Sequence, residues 1–203
     1  MTIIVSAEVL AEWEEAFTTL STPKSPRPIP KKEFTFGIRP SVLHTPASDT
    51  LLATPETLAA LYSVKAGLGT EEGIEIYSAY RNPKSQFKLW VARVEDIRQR
   101  NTMFSLEECV EQAAQYTASP HHPGLPPHMR GDALDVGLLV NGHRALMATD
   151  TQDYEQMRFD YFASTNPTIQ SNRQRLRELM ALGGFIPYEK EYWHFGLTPA
   201  FLS

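Results

Sequence analysis

Hydrophobic positions along the chain follow two periods, and the breaks between them mark out helices and strands. Over 6–20, Val9, Leu10, Trp13, Phe17 and Leu20 recur at helical spacing behind Ser6, whose hydroxyl can accept from the first free amides of a helix. The run STPKSPRPIPKK at 21–32 cannot continue it, because prolines lack the amide donor and fix φ; it predicts an extended arm over the surface. Thr54 and Pro55 open a second helix, with Leu58, Leu61, Tyr62 and Ala66 as its expected buried stripe. IEIY at 74–77 reads as a short strand. Asn82 and Pro83 then start a helix carrying Phe87, Trp90, Val91, Val94 and Ile97 on one side.

Ser105 and Glu108 form a capping-box pair for a further helix reaching about Tyr116, followed by the proline-rich loop TASPHHPGLPPH at 117–128. ALDVGLLV at 133–140 has strand character. Asn141-Gly142 behind it is the strongest hairpin signal in the chain, with HRALM as the returning strand. A last helix, NRQRLRELMAL, stops at Gly183-Gly184, and YWHFGL at 192–197 has the aromatic content of a final strand. Neither an internal repeat nor a heptad run is present. The order of elements predicts an α+β fold, helices packed on a mainly antiparallel central sheet. We expect one domain over 1–203, with an N-terminal helix and proline-rich arm to residue 50 and a core over 51–203.

Composition narrows the function classes. With 203 residues, 42% hydrophobic, the chain can bury a sizeable core. A net charge of -5, with no cluster of Lys and Arg interleaved with aromatics, leaves no electrostatic footprint for nucleic acid or an anionic membrane. The single cysteine, Cys109, rules out an intramolecular disulfide and sits in a helical pattern, so a small buried residue is expected rather than a nucleophile. The N-terminus lacks the basic start and long apolar run of a signal peptide, so the expected location is cytoplasmic, or periplasmic or secreted if a signal has been removed.

The chemistry concentrates in PPHMRGDALDVGLL at 126–139 and EYWHFGL at 191–197. Zinc takes neutral imidazole nitrogens and carboxylate oxygens, and a catalytic site uses three such ligands and keeps a fourth position for water. His128, Asp135 and His194 are residues of those types. The chain between His128 and Asp135 must turn tightly, and Gly131 is the residue that permits it. Asp135 sits between Leu134 and Val136 in an apolar strand, where an unpaired charge is costly and a metal would offset the cost. Glu191, three residues before His194, is close enough to reach a metal's water without being a ligand. Either pair alone arises easily by chance; together they are far more specific. His121 and His122 read as surface loop residues, and Trp193 as packing that fixes His194.

His-x-x-Gly-x-Ala-x-Asp, here HMRGDALD, followed by Glu-x-Trp-His, here EYWH, resembles the signature of the zinc D-Ala-D-Ala peptidases, which share their fold with lysostaphin-type and hedgehog N-terminal domains. SAYRNPKSQ resembles that family's Tyr-Arg segment, RFDYFAS its Phe-Asp segment, and NRQRLRELMALGGFIPYEKEYWHF its closing helix, Gly-Phe turn and strand. The likeness runs from about 50 to 197 and is nearest to the D-alanyl-D-alanine dipeptidases of the VanX type. It implies one zinc ion on His128, Asp135 and His194, Glu191 as general base and then acid, Arg81 steadying the oxyanion, and Asp160 facing the substrate's ammonium. In one departure, the family's serine two residues before the first ligand is Pro126 here.

The resemblance implies a small peptide substrate, cleaved by a dipeptidase; a carboxypeptidase or endopeptidase on peptidoglycan stem peptides uses the same machinery. A zinc-stabilised binding module without turnover is the reading from another class, and the presence of Glu191 and Arg81 opposes it.

Overall fold

A computed structural model describes residues 5–20, 26–30, 51–149, 153 and 155–197. Most of the proline-rich stretch 21–32 therefore lies outside the described residues. In chain order the elements are α1 (Ala7–Thr18), β1 (Arg27–Pro28), β2 (Leu52–Ala53), α2 (Pro55–Ala66), β3 (Glu72–Ser78), α3 (Pro83–Arg100), α4 (Leu106–Ala113), α5 (Pro127–Arg130), β4 (Ala133–Val140), β5 (His143–Arg144), α6 (Pro167–Leu182), β6 (Phe185–Tyr188) and β7 (Glu191–Leu197). They fall into two compact units.

The first unit is helical and takes α1 together with 81–130. Its helices begin where the side chains allow. Ser6 accepts from the Val9 amide at 3.3 Å and Asn82 from Ser85 at 2.8 Å, while Ser105 and Glu108 exchange both bonds of a capping box. Trp13 of α1 meets Trp90 of α3 edge to face, 5.7 Å between centroids, and Phe17, Val94, Ile97, Cys109 and Ala113 complete an apolar interior. Cys109 is fully buried, as its helical setting predicts. Helix α4 stops at Ala113, about one turn short of the expected Tyr116, because the Gln115 and Tyr116 amides donate to carbonyls three residues back, at Gln112 and Ala113, which tightens the turn.

The second unit carries a sheet ordered β3-β4-β7-β6, every pairing antiparallel, with β5 returning on β4. Strand β4 is its centre. One edge of β4 pairs with β3 from Asp135 to Val140, and the other pairs first with β7 through Ala133–Asp135 and then with β5. Asn141 (φ 52°) and Gly142 (φ 73°) form the hairpin turn, and only His143 and Arg144 of the expected returning strand pair in register. Leu134, Val136 and Leu138 of β4 join Ile74 and Ile76 of β3 and Phe195 and Leu197 of β7 in a core shared with α2 and α6. Fully burying each aliphatic or aromatic side chain of this kind contributes roughly 1.5–3 kcal/mol.

Three expectations need correction. Helix α2 buries Thr57, Ala60, Leu61 and Val64, not Tyr62 or Ala66, which are exposed. Apolar residues occur all round this helix, so its pattern does not fix which face turns inward. The last helix begins at Pro167 behind Asn166, not at Asn172, and the segment FIPY after it, for which no element was expected, is strand β6, paired with β7. Its Pro187 is tolerated because β6 is an edge strand.

Candidate metal centre

The centre starts from the alternation in β4. With Leu134, Val136 and Leu138 turned into the core, the opposite face is left to Asp135, Gly137 and Leu139. Asp135 stands directly across from His194 of β7 and from Ser78 of β3. Directly opposed residues on neighbouring strands present their side chains to the same face, and here Asp135 Oδ1 and His194 Nδ1 lie 2.9 Å apart. Gly137, two residues along the same face, is covered by Tyr77: a Cβ there would collide with the Tyr77 hydroxyl. Burial pushes the Tyr77 phenol well above its ordinary pKa. On the same side Glu75 and Arg144 form a two-pronged ion pair, both contacts 2.6 Å.

His128 sits on α5, a single helical turn where the sequence suggested the end of a loop, and it is buried. Gly131 follows with φ 79°, the left-handed conformation expected of it, and its carbonyl accepts from the Thr57 hydroxyl at 3.0 Å. His128, Asp135 and His194 each offer one ligand atom, and these atoms all lie within 4.8 Å of one another. On a tetrahedral zinc with bonds of about 2.1 Å, ligand atoms are separated by roughly 3.4 Å. Two imidazoles and a carboxylate gathered this closely, Asp135 only 8% exposed, could hold such an ion.

Glu191 opens β7 and is buried. In a regular strand, residues three apart point to opposite faces, which would separate Glu191 from His194. The β6–β7 register is not regular: Pro187 pairs with Phe195 and the next residue, Tyr188, with Glu191, so 192–194 have no counterpart on β6. This bulge lifts the strict alternation and lets the two residues share a side. A second bulge, between Ile76 and Ser78, lies opposite Asp135. Tyr188 packs its ring edge-on to His194, 5.8 Å between centroids. Trp193, expected to fix His194, packs edge-on to Tyr192, 4.8 Å between centroids.

The remaining candidates are placed as follows. Arg81, partly exposed, donates its amide to the His128 carbonyl at 3.0 Å and extends Nη1 to within 3.5 Å of Gln86 Oε1, so its backbone is tied to the turn that carries a ligand. Asp160 lies in a turn beyond the 3-10 segment Glu155–Met157, its side chain 71% exposed and 3.8 Å from Arg158 Nε. Pro126 is buried and its carbonyl closes α5 by accepting from the Arg130 amide. His121 is an exposed surface residue 3.9 Å from Glu12, and His122 bonds the Gly124 carbonyl, so both are loop residues as expected. Sequence reasoning missed Tyr188, which carries no motif. It also missed the two bulges, which leave no signal short of the strand pairing itself.

Comparison with known proteins gives the same direction. Residues 42–202 match the family model described as D-ala-D-ala dipeptidase. The chain is 28% identical over 126 residues to the D-alanyl-D-alanine dipeptidase of Escherichia coli (strain K12), a match covering 62% of this chain and 55% of that protein, so it spans about half the length of this curated relative. Among solved structures, VanYB in complex with D-alanine-D-alanine superposes with a TM-score of 0.50 at 16% identity, covering 89% of this chain and 86% of that one. The vancomycin-resistance D,D-pentapeptidase VanY from a VanB-type cassette, in complex with Zn(II), gives 0.49 at 16%, covering 89% and 88%. With four-fifths of its length matched by the family model, the chain belongs to the D-ala-D-ala dipeptidase family.

Proposed function

We propose that this chain is a zinc-dependent dipeptidase that hydrolyses D-Ala-D-Ala or a similar small dipeptide. The observation that carries the reading is the convergence of His128, Asp135 and His194 within 4.8 Å, in a chain of this family. These three residues would hold the ion. Zinc, when bound, supplies Lewis acidity and an acidified water.

The rest of the reaction falls to the protein's own groups. Glu191, buried at the start of β7, takes the proton of the attacking water and returns it to the leaving amine, so one carboxylate serves as base and then acid. Arg81 donates to the oxyanion that develops on the scissile carbonyl; a preorganised donor of this kind typically contributes about 3 kcal/mol. Its amide bond to the His128 carbonyl ties that donor's backbone to the ligand's turn. Asp160 accepts from the ammonium of the dipeptide, which lies one residue from the scissile carbonyl. No covalent intermediate is needed.

One observation favours a second reading, a carboxypeptidase acting on longer peptides. Asp160 already has the Arg158 guanidinium beside it, and a substrate without a nearby ammonium would not need it. Zinc-loaded protein offered D-Ala-D-Ala, L-Ala-L-Ala, N-acetyl-D-Ala-D-Ala and a stem pentapeptide separates the two by released alanine. A dipeptidase cleaves free D-Ala-D-Ala and loses activity on the acetylated form, and Asp160→Ala raises KM with zinc retained. Efficient cleavage of the acetylated or pentapeptide substrate establishes the carboxypeptidase.

A further inference from the structure

Arg173 is a buried cation on the apolar stripe of α6, between Ile169 and Leu176, and only 1% exposed. A guanidinium taken out of water is tolerated only when its donors are satisfied. Here all three nitrogens donate, and every acceptor is a backbone carbonyl: Nε to Met147 at 2.8 Å, Nη1 to Arg158 at 2.6 Å and more weakly to Phe159, Nη2 to Gln156 at 2.6 Å and to Met147. Two aromatic rings lie against it as well. The guanidinium carbon is 4.2 Å from the Tyr192 ring centroid and 5.0 Å from that of Phe162, within cation–π range of both.

These contacts have a direction. The gripped carbonyls of Gln156, Arg158 and Phe159 immediately precede Asp160, and Tyr192 is the residue after Glu191 and two before His194. One turn along α6, Arg177 repeats the pattern: it stacks on Phe159 at 4.6 Å and pairs with Glu189 at 2.8 Å, while the Glu189 carbonyl accepts the Phe159 amide at 3.0 Å. Burial pushes Arg173 down to about 10, which still leaves it a cation at neutral pH, and the carboxylate of Asp160 acts on it favourably through space.

We propose that Arg173, seconded by Arg177, is a positioning residue for substrate recognition, clamping the segment that carries Asp160 to the strand that carries Glu191 and His194. The proposal rests on the reading of Asp160 as the ammonium acceptor. A dipeptide leaves no slack between its ammonium and its scissile carbonyl, so the spacing of these two segments sets whether both ends are engaged at once. Displacements of about 1 Å in such arrangements can cost on the order of a hundredfold in rate.

The test uses Arg173→Lys, which keeps the charge but loses the planar fork, with Asp160→Ala and the double variant. Zinc content, kcat and KM for D-Ala-D-Ala, and amide hydrogen exchange over 156–162 are measured on each. The clamp predicts that Arg173→Lys keeps zinc and a kcat within about threefold, raises KM about tenfold or more, and speeds exchange over 156–162. It also predicts that adding Arg173→Lys to Asp160→Ala changes KM by less than about twofold, since the group being positioned is already gone.

Wild-type KM in Arg173→Lys, or a full further increase of KM in the double variant, overturns the clamp. Wild-type KM in Asp160→Ala overturns the reading of Asp160 instead, and the KM and exchange of Arg173→Lys then still decide whether Arg173 positions the segment. Should Arg173→Lys lose the fold, Arg177→Ala at the exposed end of the clamp replaces it. A KM raised about threefold with faster exchange of the Phe159 amide is then expected, and no change in either overturns the proposal.

Discussion

Single residues decide the chemistry, and they differ in how far the sequence exposes them. His128, Asp135 and His194 are legible from residue type and from the cost of a charge inside an apolar strand, and their ligand atoms converge. Arg173 is legible in hindsight: a cation at the helical spacing of Ile169, Leu176 and Met180 has no reason to sit on an apolar stripe unless its donors are used. Tyr188 gives no such signal, since its contact with His194 depends on a bulge.

A residue-scale prediction concerns Glu72, held below the ordinary carboxylate range chiefly by its hydrogen bond from Arg175. A folded-state pKa below the unfolded one contributes stability that is fully present above about 4.5 and is lost as pH falls through the folded value. Glu72→Gln should therefore be less stable than wild type at neutral pH, with the gap closing below pH 4.5. Denaturant unfolding across that range checks it, and a gap independent of pH contradicts it.

At the scale of elements, four helix starts were readable, because Ser6, Thr54, Asn82 and Ser105 all cap the helices they were expected to open, whereas the Asn166-Pro167 start of α6 was passed over. What escaped was tertiary in origin. Strand β6 hides behind a proline and acquires its identity only from pairing with β7, and the inward face of α2 is chosen by α6 and the sheet rather than by its own pattern. The turn at Gly131 links the two levels, since it joins the ligand on α5 to the ligand on β4. A Cβ at Gly131 would meet Thr54 Cγ2 at 3.0 Å, and its φ of 79° is strained for any other residue. Gly131→Ala should lose about 1–2 kcal/mol of stability and bind zinc more weakly. Thermal unfolding with a zinc titration measures both, and an unchanged zinc affinity would show that the turn does not set the ligand spacing.

For the whole molecule, a His-Asp-His set with His128 and Asp135 buried would couple metal binding to folding. A ligand that binds only the folded state stabilises it in proportion to its free concentration, about 2.7 kcal/mol at a hundred times Kd. Chelation should lower Tm by several degrees, and restoring zinc should recover it; His128→Ala should have a low Tm that chelator leaves unchanged. The α+β class and the antiparallel sheet were legible because the strands at its centre, β3, β4 and β7, are apolar or aromatic runs set off by turn residues and helix caps. The order of the strands was not, because it depends on which edges of β4 are taken by β3, β7 and β5.

The proposed division of labour, three residues for the metal and Glu191 as a separate base, gives zinc and turnover different fates when Glu191 is removed. Zinc content and D-Ala-D-Ala hydrolysis measured side by side for the wild type and Glu191→Ala should give about one zinc per chain in both. Alanine release should fall by several orders of magnitude in the variant. Near-normal turnover in Glu191→Ala, or loss of its zinc, would rule out Glu191 as a base separate from the metal set.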